Sequence, residues 1–158
     1  MALTRFSFPT AIVFGPGARH EVAAHLAQHG VRRPLIVTDR GVAALPLLPA
    51  LVTGLAGFDV AVFSEIWGNP VRSQVKHGAA AYQAHNADAV IGLGGGAALD
   101  VAKAIALMAS HPGDILEYAW DHPEVRPIGR PLPYFVALPT TAGTGSEALN
   151  MLRHDPCD

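Results

Sequence analysis

The sequence predicts an α/β fold with a parallel sheet flanked by helices. Two observations carry this: strand-length apolar runs alternate with segments of helical periodicity, and the central runs are apolar throughout. In order, the chain reads as a strand at Ala11–Phe14, a helix over Gly17–Gln28, a strand at Leu35–Thr38 and a helix over Pro49–Leu55. A strand at Val60–Phe63, a helix over Val71–His85, a strand at Ala89–Leu93, a helix over Leu99–Ala109 and a strand at Tyr134–Leu138 follow. The middle strands, LIVT and AVIGL, do not alternate between apolar and polar residues, as strands covered by helices on both faces should not. Ligands of such sheets sit at the carboxyl ends of the strands.

Composition sets the scale. A chain of 158 residues, 50% hydrophobic and 15% charged, suits one domain that buries about 70% of its unfolded surface. A formal net charge of −2 with scattered Lys and Arg argues against a nucleic-acid or anionic-membrane surface, which needs a basic stripe. The single cysteine, Cys157, permits no internal disulfide, and Met1–Phe8 interrupts any apolar leader with Arg5 and hydroxyl residues. A reducing cytoplasm is the expected compartment. Gly41–Phe58 is free of charge, yet Pro46, Pro49, Gly54 and Gly57 would break a membrane helix there. A short helix, a bend and a second helix packed on the sheet fit it better.

Asp88–Lys103 (DAVIGLGGGAALDVAK) combines a buried strand, a glycine-rich turn and the opening of a helix. Without a Cβ, Gly94, Gly95 and Gly96 let the backbone approach a pyrophosphate while the helix aims its free N–H groups at the charge. A dinucleotide is the natural guest, and the architecture is Rossmann-like. The spacing Gly92-x-Gly94-x-x-Ala97 fits only the loose form of the dinucleotide pattern. The ribose-binding acid usually found about 20 residues further on would be Asp121 or Glu124, in a loop rich in Pro and His. The ordinary fingerprint therefore fails. Asp39, directly after Leu35–Thr38, is the better candidate: its carboxylate would accept hydrogen bonds from the adenosine ribose and repel a 2′-phosphate. That favours NAD over NADP, although Arg40 beside it could stack on adenine or tolerate a phosphate. The alternative role for Asp39 is to cap a helix starting near Gly41.

Pro139–Glu147 (PTTAGTGSE) sets Thr140, Thr141, Thr144 and Ser146 beside flexible glycines after another apolar run. Together, GGGAALDVAK and PTTAGTGSE resemble the iron-containing (group III) alcohol dehydrogenase family. Phe14-Gly15-Pro16-Gly17-Ala18, Val37-Thr38-Asp39-Arg40-Gly41-Val42 and Asn69-Pro70 extend the likeness from roughly Phe6 to Glu147. The resemblance implies the N-terminal, nucleotide-binding half of a fold shared with dehydroquinate synthase. Residues 1–147 would form the α/β domain and 148–158 a divergent tail. It also implies a set of cofactor-binding residues: Asp39, Asn69, Gly94, Gly95, Gly96, Ala97, Asp100, Thr140, Thr141 and Thr144. Asp100 would face the nicotinamide ribose, its other role being a first-turn acid that stabilises the helix, and Lys103 could approach the phosphates. The family commonly has Ser where this chain has Ala97, so one hydroxyl donor is missing, worth roughly 1 kcal/mol.

By the same resemblance the cofactor is NAD or NADP, and iron or another divalent metal is held by an Asp and three His of a helical second half. Those ligands would lie beyond Asp158, with no catalytic residue in this chain, and the abrupt ALNMLRHDPCD ending suggests truncation or a shifted frame. The implied activity is alcohol dehydrogenation, with hydride exchanged between nicotinamide and a metal-polarised alcohol or aldehyde. The alternative is a non-catalytic nucleotide-binding fragment or interaction module. A homo-oligomer pairing through the Ala11–Phe14 edge is also expected. His25 and His29 share a helix face without a third ligand nearby and, like the terminal His154–Asp158 cluster, are assigned no metal. Nothing up to Glu147 selects the substrate.

Overall fold

The computed structural model describes residues 11–147. Four strands, β1 (Pro34–Thr38), β2 (Ala61–Phe63), β3 (Ala89–Gly94) and β4 (Tyr134–Pro139), form one parallel sheet in the order β2-β1-β3-β4. The register sets Leu35 beside Ala61 and Val90, and Val90 beside Phe135. Because every pair is parallel, all carboxyl ends lie along one edge.

Every residue of β1 and β3 is buried, and the reason lies in the helices on either face. One face carries Leu35, Val37 and Val90 against Val75 and Tyr82 of α4 (Arg72–His85) and Val101, Ala102 and Ile105 of α5 (Gly96–Ser110). The opposite face carries Ile36, Ile91 and Leu93 against Val22 and Leu26 of α1 (Val22–Gln28) and Leu51 of α3 (Leu47–Gly54). Successive residues thus feed separate cores, and each large aliphatic side chain so buried stabilises the fold by about 1.5–3 kcal/mol. Glycine sets one helix spacing: a Cβ on Gly78 of α4 would stand 2.7 Å from Cγ1 of Ile105.

Gly41–Phe58 folds as expected. The four-residue helix α2 (Arg40–Ala43), a bend near Pro46 and α3 lie against the sheet. No helix among the described residues is long and apolar enough to cross a membrane.

Two expectations need correction. Ala11–Phe14 forms no strand; the segment is exposed, with Phe14 98% accessible, because no described strand pairs with it and an unpaired strand has no ladder. The helix expected from Gly17 begins as a 3-10 turn at Ala18–Glu21 and becomes α-helical only at Val22. Gly17, in the left-handed conformation at φ 82°, delivers the chain at an angle that opens with the tighter turn. The tail 148–158, with Cys157 and the His154–Asp158 cluster, lies outside the described residues.

Candidate dinucleotide-binding site

The site begins where β3 ends. Gly94 has φ 147°, a conformation that residues with a Cβ rarely adopt. It turns the chain into α5, a 15-residue helix whose N-cap, Gly95, supplies no side-chain hydrogen bond. The N–H groups of its first turn have no partner within the helix and point along the axis with the positive end of the dipole. A Cβ on Gly95 would lie 3.3 Å from Thr141 Oγ1, and one on Gly96 would lie 3.2 Å from Thr144 Cβ and 3.3 Å from Ser146 Oγ. Bare glycine backbone therefore lets the hydroxyl-rich turn after β4 close in on the helix start, and this junction of backbone and hydroxyls is the candidate cradle.

That turn is anchored to the cradle. The Thr140 N–H donates to the Gly94 carbonyl at 2.9 Å, extending the β3–β4 pairing past the sheet. Inside the turn, the Ser146 N–H donates to Thr144 Oγ1 and the Thr144 hydroxyl donates to Glu147 Oε2, each at 3.3 Å. Thr140, Thr141 and Thr144 are exposed, whereas Ser146 is buried.

Asp39 follows β1 and serves as N-cap of α2: its Oδ1 accepts from the Val42 N–H at 2.9 Å. The capping role weighed against cofactor binding is therefore occupied. One oxygen caps; the other, Oδ2, lies 2.9 Å from where a Cβ on Gly94 would stand. The carboxylate thus sits at the glycine turn while it caps. Thr38, fully buried just before it, has a hydroxyl with no hydrogen-bond partner among the described residues.

The other expected residues divide. Ala97 is half-buried and Asp100 exposed in the first turns of α5. Burial pulls the Lys103 ammonium below the usual lysine range, and the carboxylates of Asp100 and Glu147 partly offset the shift. Asn69 is exposed in the segment after β2. What the sequence reading missed is Trp67: the Arg40 guanidinium carbon lies 4.1 Å from its ring centroid. Its one signal was an aromatic residue just before Gly68-Asn69-Pro70, in the loop after a strand.

At the opposite end of β4, His25 and His29 pack on Tyr134. The Tyr134 hydroxyl is hydrogen-bonded to His25 Nε2, and His29 stacks on the phenol ring at 4.2 Å. Burial raises the Tyr134 hydroxyl above the usual phenol range.

A parallel sheet covered on both faces, with a glycine turn feeding an uncapped helix and an acid on the neighbouring strand, is the architecture of nucleotide-binding α/β proteins. The chain belongs to the iron-containing alcohol dehydrogenase family, whose model matches residues 9–152. It is 40% identical to the 4-hydroxybutyrate dehydrogenase of Cupriavidus necator over 118 residues, which is 75% of this chain and 31% of that protein. It is 38% identical to the NAD-dependent methanol dehydrogenase of Bacillus methanolicus over 151 residues, 94% of this chain and 39% of that one. Among solved structures, a 1,3-propanediol oxidoreductase superposes with a TM-score of 0.80 at 34% identity, over 91% of this chain and 38% of its own. The sulfoacetaldehyde reductase of Bifidobacterium kashiwanohense in complex with NAD+ gives 0.77 at 29%, over 94% and 39%. The chain thus spans less than two fifths of the length of each.

Proposed function

We propose that this chain is the cofactor-binding part of an NAD-dependent alcohol dehydrogenase acting on a small alcohol or aldehyde. The observation that carries the reading is the meeting of Asp39 with the glycine turn at the start of α5. The bare backbone of Gly95 and Gly96 facing the threonine hydroxyls, and the unpartnered Thr38 hydroxyl at the end of β1, fit a bound nucleotide. The first-turn N–H groups of Gly96 and Ala97 would hold the pyrophosphate, with Gly94 and Gly95 giving it room. Asp39 would accept from the adenosine ribose hydroxyls, and its charge disfavours NADP. Thr140, Thr141 and Thr144, across the cradle, would orient the nicotinamide half together with Asp100, and Asn69 would close the adenosine side. The nicotinamide, when bound, supplies the hydride acceptor or donor; this chain's residues bind and orient it.

A metal is a different matter. Among the described residues no group of three or more His, Cys, Asp or Glu could hold one. The alternative of a bare interaction module is not favoured, since the relatives above are named as dehydrogenases, an oxidoreductase and a reductase.

Calorimetric titration of the purified chain with NAD and with NADP, alongside Asp39→Ala, tests the reading. Saturable NAD binding that weakens in the variant supports it. Binding of neither nucleotide overturns it.

A further inference from the structure

We propose that Arg40 and Trp67 form the platform on which the adenine base stacks, an inference that rests on the dinucleotide site proposed above. Strand order gives the direction. With the sheet running β2-β1-β3-β4, the glycine turn stands at the end of β3 and Asp39 at the end of β1, so a nucleotide extended from pyrophosphate to ribose carries its base onward toward β2. The segment after β2 is where Trp67 lies.

That segment is held in place at two points. The Arg40 N–H donates to the Ile66 carbonyl at 3.1 Å, joining the residue after Asp39 to the residue before Trp67. Gln74 of α4, only 1% exposed, donates from Nε2 to the Trp67 carbonyl at 2.9 Å. Ile66 itself is fully buried. The backbone on both sides of the indole is therefore anchored in the core while Trp67 as a residue stays 51% exposed.

An exposed tryptophan with a guanidinium 4.1 Å from its ring centroid offers what a purine uses: flat polarisable surfaces, one of them cationic. Arg40 is fixed in the next position to the residue assigned to the ribose, so base and sugar are read by consecutive side chains. Stacking depends on the base's area and not on nicotinamide, so ADP should engage the platform as NAD does.

The chain contains two tryptophans, and the other, Trp120, is 90% exposed in a different loop. In a Trp120→Phe background, Trp67 emission reports on the platform directly, and calorimetry reports binding independently. The expected result is saturable quenching of Trp67 by both NAD and ADP. Affinity for both should fall roughly ten-fold in Trp67→Ala and largely return in Trp67→Phe. Arg40→Gln should weaken both by about three-fold. If calorimetry shows NAD binding while Trp67 emission stays constant and Trp67→Ala changes affinity less than two-fold, the base lies elsewhere; the platform is then refuted and the dinucleotide site stands. If neither NAD nor ADP binds, the dinucleotide reading falls and the platform with it.

Discussion

Asp39 and Gly94, which end neighbouring strands, occupy each other's space: the Asp39 Oδ2 atom lies 2.9 Å from the point that a Cβ on Gly94 would take. The Cβ of Ala98 lies 2.7 Å from the same point. A side chain at Gly94 would therefore meet the acid on one side and the helix on the other, in a backbone conformation that already excludes it. Gly94→Ala should lose roughly 1–3 kcal/mol of stability and displace the carboxylate, weakening NAD binding. Urea unfolding with a midpoint equal to the parent's would contradict this.

Asp39 caps α2 with one oxygen and is proposed to bind ribose with the other, and a pair of variants separates the two. Asparagine keeps an acceptor for the Val42 N–H, so Asp39→Asn should stay within about 0.5 kcal/mol of the parent, whereas Asp39→Ala should lose about 1 kcal/mol with the cap. Both remove the charge, and both should lower the preference for NAD over NADP. A preference unchanged in Asp39→Asn would leave the residue a cap only.

Gly78 tests the spacing of α4 and α5. Alanine is intrinsically the better helix former by about 1 kcal/mol, but its methyl would run into the Ile105 side chain, with Phe63 Cε1 3.1 Å away. Overpacking of roughly 1–3 kcal/mol should outweigh the helix gain, so Gly78→Ala should lower Tm. A higher Tm would mean that Ile105 repacks freely.

Asp114 predicts the acid limb of stability. The Leu116 N–H, at 3.1 Å, holds its carboxyl below the usual carboxylate range; slight burial works against that shift and the Arg72 Nε–H at 2.6 Å adds to it. A carboxyl that binds its proton less readily folded than unfolded contributes stability above the ordinary carboxylate range. That contribution is lost as pH falls through the folded value. Asp114→Asn should therefore flatten the decline in urea midpoint below about pH 4. Parent and variant curves that stay parallel there would rule it out.

The β1 and β3 strands were legible because burial on both faces leaves an unbroken apolar run, and the glycine turn because its chemistry is local. The helix α5 starts at Gly96, ahead of the expected Leu99, since its first turn is made of glycine and alanine, which carry no periodicity. Ala11–Phe14 misled for a related reason: four apolar residues resemble a strand whether or not a partner exists. The placement of Asp39 and the threonines around the glycine turn was legible from their positions after apolar runs. The approach of Asp39 Oδ2 to Gly94 and the Arg40–Trp67 contact were not, because both depend on which strands become neighbours.

The pairing of β1 with β3 also governs how this chain comes into being. Leu35 lies between Ala61 and Val90, so until residues 89–94 are in place one row of β1 backbone N–H and C=O groups has no ladder partner. Closing that interval costs chain entropy before the sheet returns any of it. Until then, the strand that precedes Asp39 presents an unpaired edge, the kind of surface on which chains associate wrongly.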